Sequence, residues 1–202
     1  MSTRQRVIDA ALRSFGGRGY DATSLDALAA ELGIRKQSIL YHFSSKEVLL
    51  DAVVDEAVSQ VGATMTGALA TVRPPGGAGW PRTAAIVRAV FGLATRRPEL
   101  LGLLREVARP DHPALARAVR SFEPLVEDAT AFLAAEMDAG RYRRCDPRLL
   151  LVSVYSTVMG VANEVEVLRA VGIEATAREA VVRRRELLRF LRCALVPDTV
   201  EP

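Results

Sequence analysis

The chain has 202 residues, of which 50% are apolar and 25% are charged, with a formal net charge of +3 and a pI near 9.2. A chain of this length and apolar content buries a sizeable core, which excludes a disordered protein and a small domain that depends on metal or disulfide staples. The mildly basic charge permits nucleic-acid binding but does not by itself indicate it. Cys145 and Cys193 are far apart and lack metal-ligand spacing, so we expect free thiols in a reducing compartment.

No segment of the sequence has the pattern of a membrane span. The first fifteen residues lack the apolar core and cleavage site of a signal peptide. The longest uncharged run, residues 149–163, is too short to cross a bilayer and carries several hydroxyl groups. We therefore expect a soluble cytoplasmic protein without membrane contact.

Apolar residues recur at helical spacing in three short segments of the first fifty residues. The glycines of residues 16–19 are expected to end the first helix. Thr23 and Asp26 form a capping-box pattern at the start of the second helix. Gly33 can take the left-handed conformation that a sharp turn into the third helix requires. This spacing predicts two helices that meet across a tight turn.

The third helix is expected to have one buried and one polar side. Ile34, Ile39 and Phe43 would pin it against the first two helices. Its solvent side would carry the polar and basic residues Arg35, Lys36, Gln37, Tyr41 and His42. A short polar helix braced across an apolar one is how many proteins present side chains to the DNA major groove.

The rest of the chain also has helical periodicity. A fourth helix is predicted from residue 45 to about 72, started by a capping box of Ser44 and Glu47 and ended by the Pro- and Gly-rich residues 73–81. Further helices are predicted over residues 82–96, 99–108, 113–139, 147–171 and 175–196, with Pro98, Pro113 and Pro147 in first-turn positions. Because no strand pattern or internal repeat is evident, the sequence predicts an all-α protein of about nine helices.

The last two predicted helices differ in their apolar surface. Residues 149–168 are apolar nearly all round, so this helix must be covered on more than one face. The final helix has one predicted stripe, formed by Ala177, Val181, Leu188, Leu191 and Leu195. Its other side is charged, with Glu179 and Arg183 at helical pairing distance. The two helices either pack against the same pair of a second subunit or complete the core of a monomer.

The first fifty residues resemble the tetracycline-repressor (TetR) family of transcriptional regulators. The matching residues, in order and correctly spaced, are Ala10, Ala11, Phe15, Gly19, Tyr20, Thr23, Ser24, Leu28, Ala29, Gly33, Tyr41, His42, Phe43 and residues 45–49. The resemblance implies a helix-turn-helix DNA-binding domain over residues 1–46 and a helical effector-binding and dimerisation domain over residues 47–202. It also implies a cytoplasmic homodimer, joined through residues of about 147–171 and 175–196. Such a dimer binds a palindromic operator, usually as a repressor, and a small-molecule effector releases it by moving the long fourth helix.

The position of each residue in the family's motif implies its role toward DNA. Arg35, Lys36, Gln37 and Tyr41 would face the groove, His42 and Lys46 would lie toward the phosphates, and Thr23 and Ser24 would offer a hydroxyl or backbone N–H to a phosphate. Each has a structural alternative. In the structural alternative, Thr23 would cap a helix and Arg35 would stabilise the turn. His42 would cap its helix or pack against the first helix, and Lys46 would be a solvated side chain.

This chain departs from the family's common pattern at two positions. Gln37 stands where a small residue is common and suggests an additional base contact. Leu40 stands where Tyr is common; it either touches a thymine methyl group or packs inward and leaves Tyr41 as the only phosphate-binding phenol, and we assign it no role.

The C-terminal region carries no signature that identifies an effector. Candidate ligand-binding residues are Trp80, Phe91, Phe122, Tyr155, Met159 and Asn163. Aromatic and Met residues at helical spacing are usually ordinary core, and Tyr155 and Asn163 stand out because polar groups on an apolar helix need partners. The scarcity of His and of clustered carboxylates argues against a metal effector, and no cofactor is implied.

Two other classes of protein compete with this interpretation. An enzyme is disfavoured because the only histidines are His42 and His112, and no nucleophile motif, phosphate-binding glycine loop or metal spacing occurs; we predict no catalytic residues. The remaining alternative is a helical interaction or scaffold protein that has lost specific DNA recognition.

Overall fold

A computed structural model describes residues 1–72, 79–109, 112, 114–174 and 176–197, and all the regular structure in these ranges is helical. It contains ten helices, which are α1 (Thr3–Arg18), α2 (Leu25–Leu32), α3 (Lys36–His42), α4 (Lys46–Ala70), α5 (Trp80–Arg96), α6 (Pro98–Val107), α7 (Leu115–Asp138), α8 (Pro147–Asn163), α9 (Val165–Ala170) and α10 (Ala177–Leu195). The all-α prediction is confirmed. Most of the predicted linker, residues 73–78, and the predicted first-turn Pro113 lie outside the described residues.

The helices form two compact units. The first comprises Met1–Val61 and Arg97–Pro124, and the second comprises Gly62–Arg96 and Leu125–Pro202. Helices α4 and α7 each contribute residues to both units. This partition is one of compactness and differs from the expected division after residue 46. The expected division is a functional one, and it stays a prediction.

In the first unit, α1 packs against α2, α3 and α6. The apolar residues of α1 at helical spacing are buried, namely Val7, Ile8, Ala11, Leu12 and Phe15, and so are Ile39 and Phe43. The glycines of residues 16–19 do not all end this helix, because α1 continues through Gly16 and Gly17 to Arg18. Gly19, at φ 92°, is its C-cap.

The contact between α1 and α6 is unusually close because two glycines meet there. A Cβ atom added to Gly102 would lie 1.8 Å from the carbonyl oxygen of Gly16, and one added to Gly16 would lie 2.0 Å from the carbonyl oxygen of Glu99. Real Cβ atoms essentially never approach other atoms this closely. Both positions therefore require glycine for steric reasons.

In the second unit, α5, α8 and α10 pack against one another. Thr83 and Tyr142 share a buried hydrogen bond of 2.6 Å between their hydroxyl groups. The apolar stripe predicted for the last helix is correct only in part, because Leu191 and Leu195 are buried and Leu188 is half-buried. The buried side of α10 is formed by Arg183, Leu187, Leu191 and Leu195, while Ala177 and Val181 are exposed. The side that packs on α5 and α8 thus includes Arg183, which was assigned to the charged side.

The single helix predicted over residues 147–171 is divided in two. α8 ends at Asn163, Glu164 adopts a non-helical φ of −77° and ψ of 69°, and α9 begins at Val165. The carbonyl oxygens of Val161 and Ala162 accept hydrogen bonds from the Arg183 guanidinium at 2.7 and 3.3 Å. A side chain of α10 therefore occupies acceptors that the backbone of a continuous helix would use.

Within the described ranges, no helix combines the length and hydropathy needed to cross a bilayer. The same residues include no group of three His, Cys, Asp or Glu side chains arranged to hold a metal ion. Cys145 and Cys193 are unpaired and exposed.

Candidate nucleic-acid interface

The turn between α2 and α3 is centred on a left-handed glycine. Gly33 has φ 65° and ψ 32°, as the sequence predicted, and its N–H donates to the carbonyl oxygen of Ala30 at 3.2 Å. The next N–H, of Ile34, donates to Ala29 at 3.0 Å. These bonds satisfy the last carbonyl groups of α2 and redirect the chain within two residues. They set the direction in which α3 leaves the turn.

Helix α3 has a buried and an exposed side. Ile39 is 0% and Phe43 is 2% exposed, so both anchor the helix in the first unit. The exposed side carries Arg35, the N-cap residue, together with Lys36, Gln37 and Tyr41. We call these four residues the α3 polar face. Tyr41 is 86% exposed although it is aromatic, which marks a side chain available to a partner.

Lys36 forms an ion pair that the sequence analysis did not foresee. Its Nζ atom lies 2.8 Å from Oδ2 of Asp26, on α2. Both side chains are largely exposed, so the pair contributes little to stability. Asp26 instead holds the lysine over the start of α2 and α3, and it does not serve the capping box predicted with Thr23.

Ser24, rather than Thr23, caps α2. The Ser24 hydroxyl accepts the N–H of Ala27 at 3.1 Å. Thr23 is 2% exposed, its hydroxyl donates to the carbonyl oxygen of Gly19 at 2.9 Å, and its N–H donates to Tyr20. Both Thr23 donors are thus used inside the turn, which argues against Thr23 as a phosphate contact. Ser24 is exposed.

The start of α4 is also shifted by one residue from the prediction. Ser45 caps it by accepting the N–H of Val48 at 3.2 Å, so the predicted box of Ser44 and Glu47 is not formed. The Nζ atom of Lys46 lies 4.0 Å from the centre of the Tyr20 ring. A cation over an aromatic face is held in place without losing its charge. Lys46 is therefore neither freely solvated nor fully exposed.

Tyr20 connects this region to two acidic residues. Its hydroxyl donates to Oε1 of Glu47 at 3.3 Å, and its N–H donates to Oε1 of Glu106, on α6, at 3.0 Å. Its ring also packs edge-on against His112. Burial first, and then the Glu47 carboxylate, raise the pKa of Tyr20 to about 12 from its ordinary value of 10.0.

We expect Tyr20→Phe to flatten the loss of stability between pH 10 and pH 12. In this range the unfolded chain releases the phenol proton while the folded protein retains it, so the free energy of unfolding of the wild type falls as pH rises. Below pH 10 this contribution is fully present. Urea unfolding at several pH values in both proteins measures it. Parallel pH profiles for the two proteins would contradict the assigned environment of Tyr20.

His42 is half-buried at the end of α3. Its ring lies 5.1 Å from that of Tyr41 and 6.4 Å from that of Phe43, both edge-on. His42 thus sits between the exposed Tyr41 and the buried Phe43. Leu40 is also half-buried.

The candidate ligand-binding residues do not all fall in one unit. Phe122 belongs to the first unit, whereas Trp80, Phe91, Tyr155, Met159 and Asn163 belong to the second. Phe91 is 2% and Tyr155 is 50% exposed. Nδ2 of Asn163 makes only a long bond, 3.5 Å, to the carbonyl oxygen of Met159 on its own helix. Phe91 is therefore core, and Tyr155 faces outward.

Sequence patterns missed one polar residue of the second unit. Arg183 was placed on a solvated face, yet it is 7% exposed and lies over the Phe91 ring, 6.0 Å from its centre. The spacing of Leu187, Leu191 and Leu195 was the available signal, because Arg183 continues that series one turn earlier.

Comparison with known proteins identifies the region that contains the α3 polar face. Residues 7–53 match the family described as bacterial regulatory proteins, tetR family. We call these matched residues, 7–53, the tetR-family domain. The family consists of transcriptional regulators rather than enzymes. The match covers α1 to α3 and the first turns of α4, so the helix-turn-helix geometry above belongs to this domain.

Proteins similar to the tetR-family domain include two regulators. The biofilm operon icaADBC negative transcriptional regulator IcaR of Staphylococcus aureus (strain Newman) is 39% identical over 51 residues, which are 25% of this chain and 27% of IcaR. The transcriptional regulator SrpR of Pseudomonas putida is 40% identical over 52 residues, 26% of this chain and 24% of SrpR. The matched region thus spans about a quarter of the length of these relatives.

Solved structures match the fold over nearly the whole chain. A regulator from Saccharomonospora viridis, in complex with choline, has a TM-score of 0.74 at 18% identity and covers 96% of this chain and 98% of its own. The regulator SCO4942 from Streptomyces coelicolor has a TM-score of 0.76 at 19% identity with the same coverage, 96% and 98%. At this identity the similarity shows that the helices beyond the tetR-family domain share the fold of these proteins.

Proposed function

We propose that the protein is a ligand-responsive transcriptional repressor that binds a palindromic operator as a homodimer in the cytoplasm. The observation that carries this proposal is the α3 polar face, held outward by the buried Ile39 and Phe43. It lies in the part of the chain that matches a family of regulators. Residues 1–46 form the DNA-binding domain in this proposal, and the remaining residues form the effector-binding and dimerisation domain.

The chemistry of the α3 polar face suits the major groove. Arg35 and Lys36 can donate to O6 and N7 of guanine, and Gln37 can pair with adenine through two hydrogen bonds. The Tyr41 hydroxyl, exposed at the far end of the helix, can donate to a phosphate. We also assign Ser24, His42 and Lys46 to the phosphates. Lys46 lies near the start of α4, where the Tyr20 ring orients its ammonium group.

The proposed dimer interface lies on α8 and α10, the last two long helices. Leu149, Val152 and Tyr155 are 67%, 60% and 50% exposed, and Val181 and Phe190 of α10 are 57% and 60% exposed. Leu149, Val152 and Tyr155 follow one another at three-residue spacing and so lie along one side of α8. A row of exposed apolar side chains along one side of a helix is a candidate interaction surface. A second copy of the same surface would cover it in a symmetric dimer.

The proposals of repression and of effector release rest on relatives. IcaR is named as a negative regulator, and the structure from Saccharomonospora viridis contains a small molecule. For this chain we propose that an effector bound in the C-terminal region shifts the population of two dimer states, of which one fits the operator. The long helix α4 joins the two regions along the chain and is the element expected to move.

We expect Lys36→Ala to weaken binding to DNA from the protein's own upstream region by about tenfold, which corresponds to about 1.4 kcal/mol. The melting temperature should change little, because the pair with Asp26 is exposed. Mobility-shift titrations at several salt concentrations measure the affinity.

The matched control is Arg88→Ala, which removes one exposed positive charge from α5, outside the tetR-family domain. It should leave operator affinity unchanged. If wild-type protein binds a random duplex as tightly as its upstream DNA, the chain is a helical interaction protein and the proposed function is wrong. A collapse in the stability of Lys36→Ala would mean that Lys36 is structural.

A further inference from the structure

Arg183 is a buried cation in the second unit. It is 7% exposed, and within the described part of the chain its hydrogen bonds run from Nη1 to the carbonyl oxygens of Val161 and Ala162, at 2.7 and 3.3 Å. The ring of Phe91 lies 6.0 Å from its Cζ atom. Its surroundings therefore combine helix α5, the end of α8 and its own helix α10.

The contacts of Arg183 use only one corner of the guanidinium. The Nε atom is fully buried and has no hydrogen-bond partner, and no described residue accepts a hydrogen bond from Nη2. Nε and Nη2 form the edge through which arginine holds a carboxylate by two parallel hydrogen bonds. The unsatisfied edge is thus the one that recognises a planar oxyanion.

Among the described residues, no carboxylate forms an ion pair with Arg183, whose hydrogen bonds go to backbone carbonyl groups. A guanidinium stays protonated in proteins, so it cannot avoid the cost of burial by losing its proton. The carbonyl groups at the end of α8 offset only part of the charge, because a helix C-terminus carries about half a negative charge. A buried, incompletely paired cation is expensive, and an unsatisfied buried polar group in a native structure calls for an explanation such as a bound water, ion or ligand.

We propose that Arg183 binds the carboxylate group of an organic-acid effector through its Nε–Nη2 edge. This inference rests on the proposed function, since it names the chemical class of the effector of that regulator. Nη1 stays bonded to Val161 and Ala162 and orients the guanidinium, while the apolar part of the effector lies toward the Phe91 side of the arginine. Cationic and neutral analogues gain nothing from this edge.

The test compares acids with their neutral amides at constant ionic strength. Benzoate with benzamide, and octanoate with octanamide, are titrated by calorimetry and by thermal shift. We expect one acid or both to bind wild-type protein about tenfold or more tightly than its amide. Arg183→Lys keeps a positive charge and a donor for the α8 carbonyl groups but lacks the two-donor edge, so it should abolish this preference.

Two further variants separate the possible outcomes. Arg88→Met removes an exposed arginine of the same unit and should keep the preference for acids. If Arg183→Lys fails to fold, Arg183→Met takes its place in the comparison of acids with amides. The proposal is wrong if neither acid is preferred by wild-type protein, or if the preference survives in a folded Arg183 variant. Arg183→Lys should still bind operator DNA. If the wild-type protein does not bind operator DNA, the proposed function is refuted, but the carboxylate site at Arg183 is not.

Discussion

Gly102→Ala is expected to destabilise the protein by about 3 kcal/mol or more, at the upper end of what overpacking costs. The added methyl group would lie 1.8 Å from the carbonyl oxygen of Gly16, so α6 and α1 must separate. The carbonyl oxygen that the methyl group would meet belongs to the backbone, so it cannot move away by a change of rotamer. Chemical denaturation measures the change as a lower midpoint. Since α1 also supports α2 and α3, we expect weaker DNA binding at temperatures near the transition.

Gly17→Ala is the matched control for this substitution. Gly17 lies in α1 beside Gly16, but a Cβ atom added there meets nothing within 4 Å. Replacing glycine by alanine inside a helix stabilises by roughly 0.5–1 kcal/mol, so this variant should be at least as stable as wild type. Equal stability of Gly102→Ala and wild type would show that the two helices are not in the close contact described.

Val152→Glu is expected to convert the proposed dimer into a monomer at micromolar concentration. Val152 is 60% exposed on α8, and in a symmetric dimer the substitution would bury two unpaired carboxylates. Burial of an uncompensated charge costs about 3–5 kcal/mol. The dimer dissociation constant should therefore rise by at least about a hundredfold. Sedimentation velocity measures the assembly state, and operator affinity should fall with it because one subunit contacts only half a palindrome.

Val119→Glu provides a control with the same chemistry. Val119, on α7, is also 60% exposed, but it belongs to the first unit and lies outside α8 and α10. It should remain dimeric and bind DNA normally. A wild-type protein that sediments as a monomer would refute the proposed dimer, and a dimeric Val152→Glu would place its interface elsewhere.

The helix-turn-helix was predictable because local rules decide it. Gly33 is left-handed because the turn requires that conformation. Helical spacing places Ile39 on the buried side of α3 and Tyr41 on its exposed side. Both signals come from residues that are close together in the chain. Capping positions were predicted less well. At α2 and at α4 the helix begins one residue later than expected, since Ser24 and Ser45 both sit where their hydroxyl groups can reach a free N–H.

Contacts between distant residues were not predictable in the same way. Asp26 and Lys36 lie ten residues apart on different helices, so their pairing depends on the angle of the turn between them. Gly16 resembled a helix terminator, but it lies inside α1, and α6 approaches it closely there. The residue that makes Gly16 necessary, Gly102, lies in another predicted helix, and no local pattern connects the two.

The amino-acid sequence alone determined the helical class of the protein, the positions of most helices and the residues presented by α3, because periodicity and turn chemistry act over a few residues. Only the tertiary structure decided which side of α10 is buried and where α8 stops. Arg183 takes part in both features, because it lies on the buried side of α10 and its guanidinium donates to the carbonyl oxygens of Val161 and Ala162 at the end of α8. Burial of an arginine on an apolar face contradicts its usual preference for solvent, and it depends on partners that folding brings from twenty-one or more residues away.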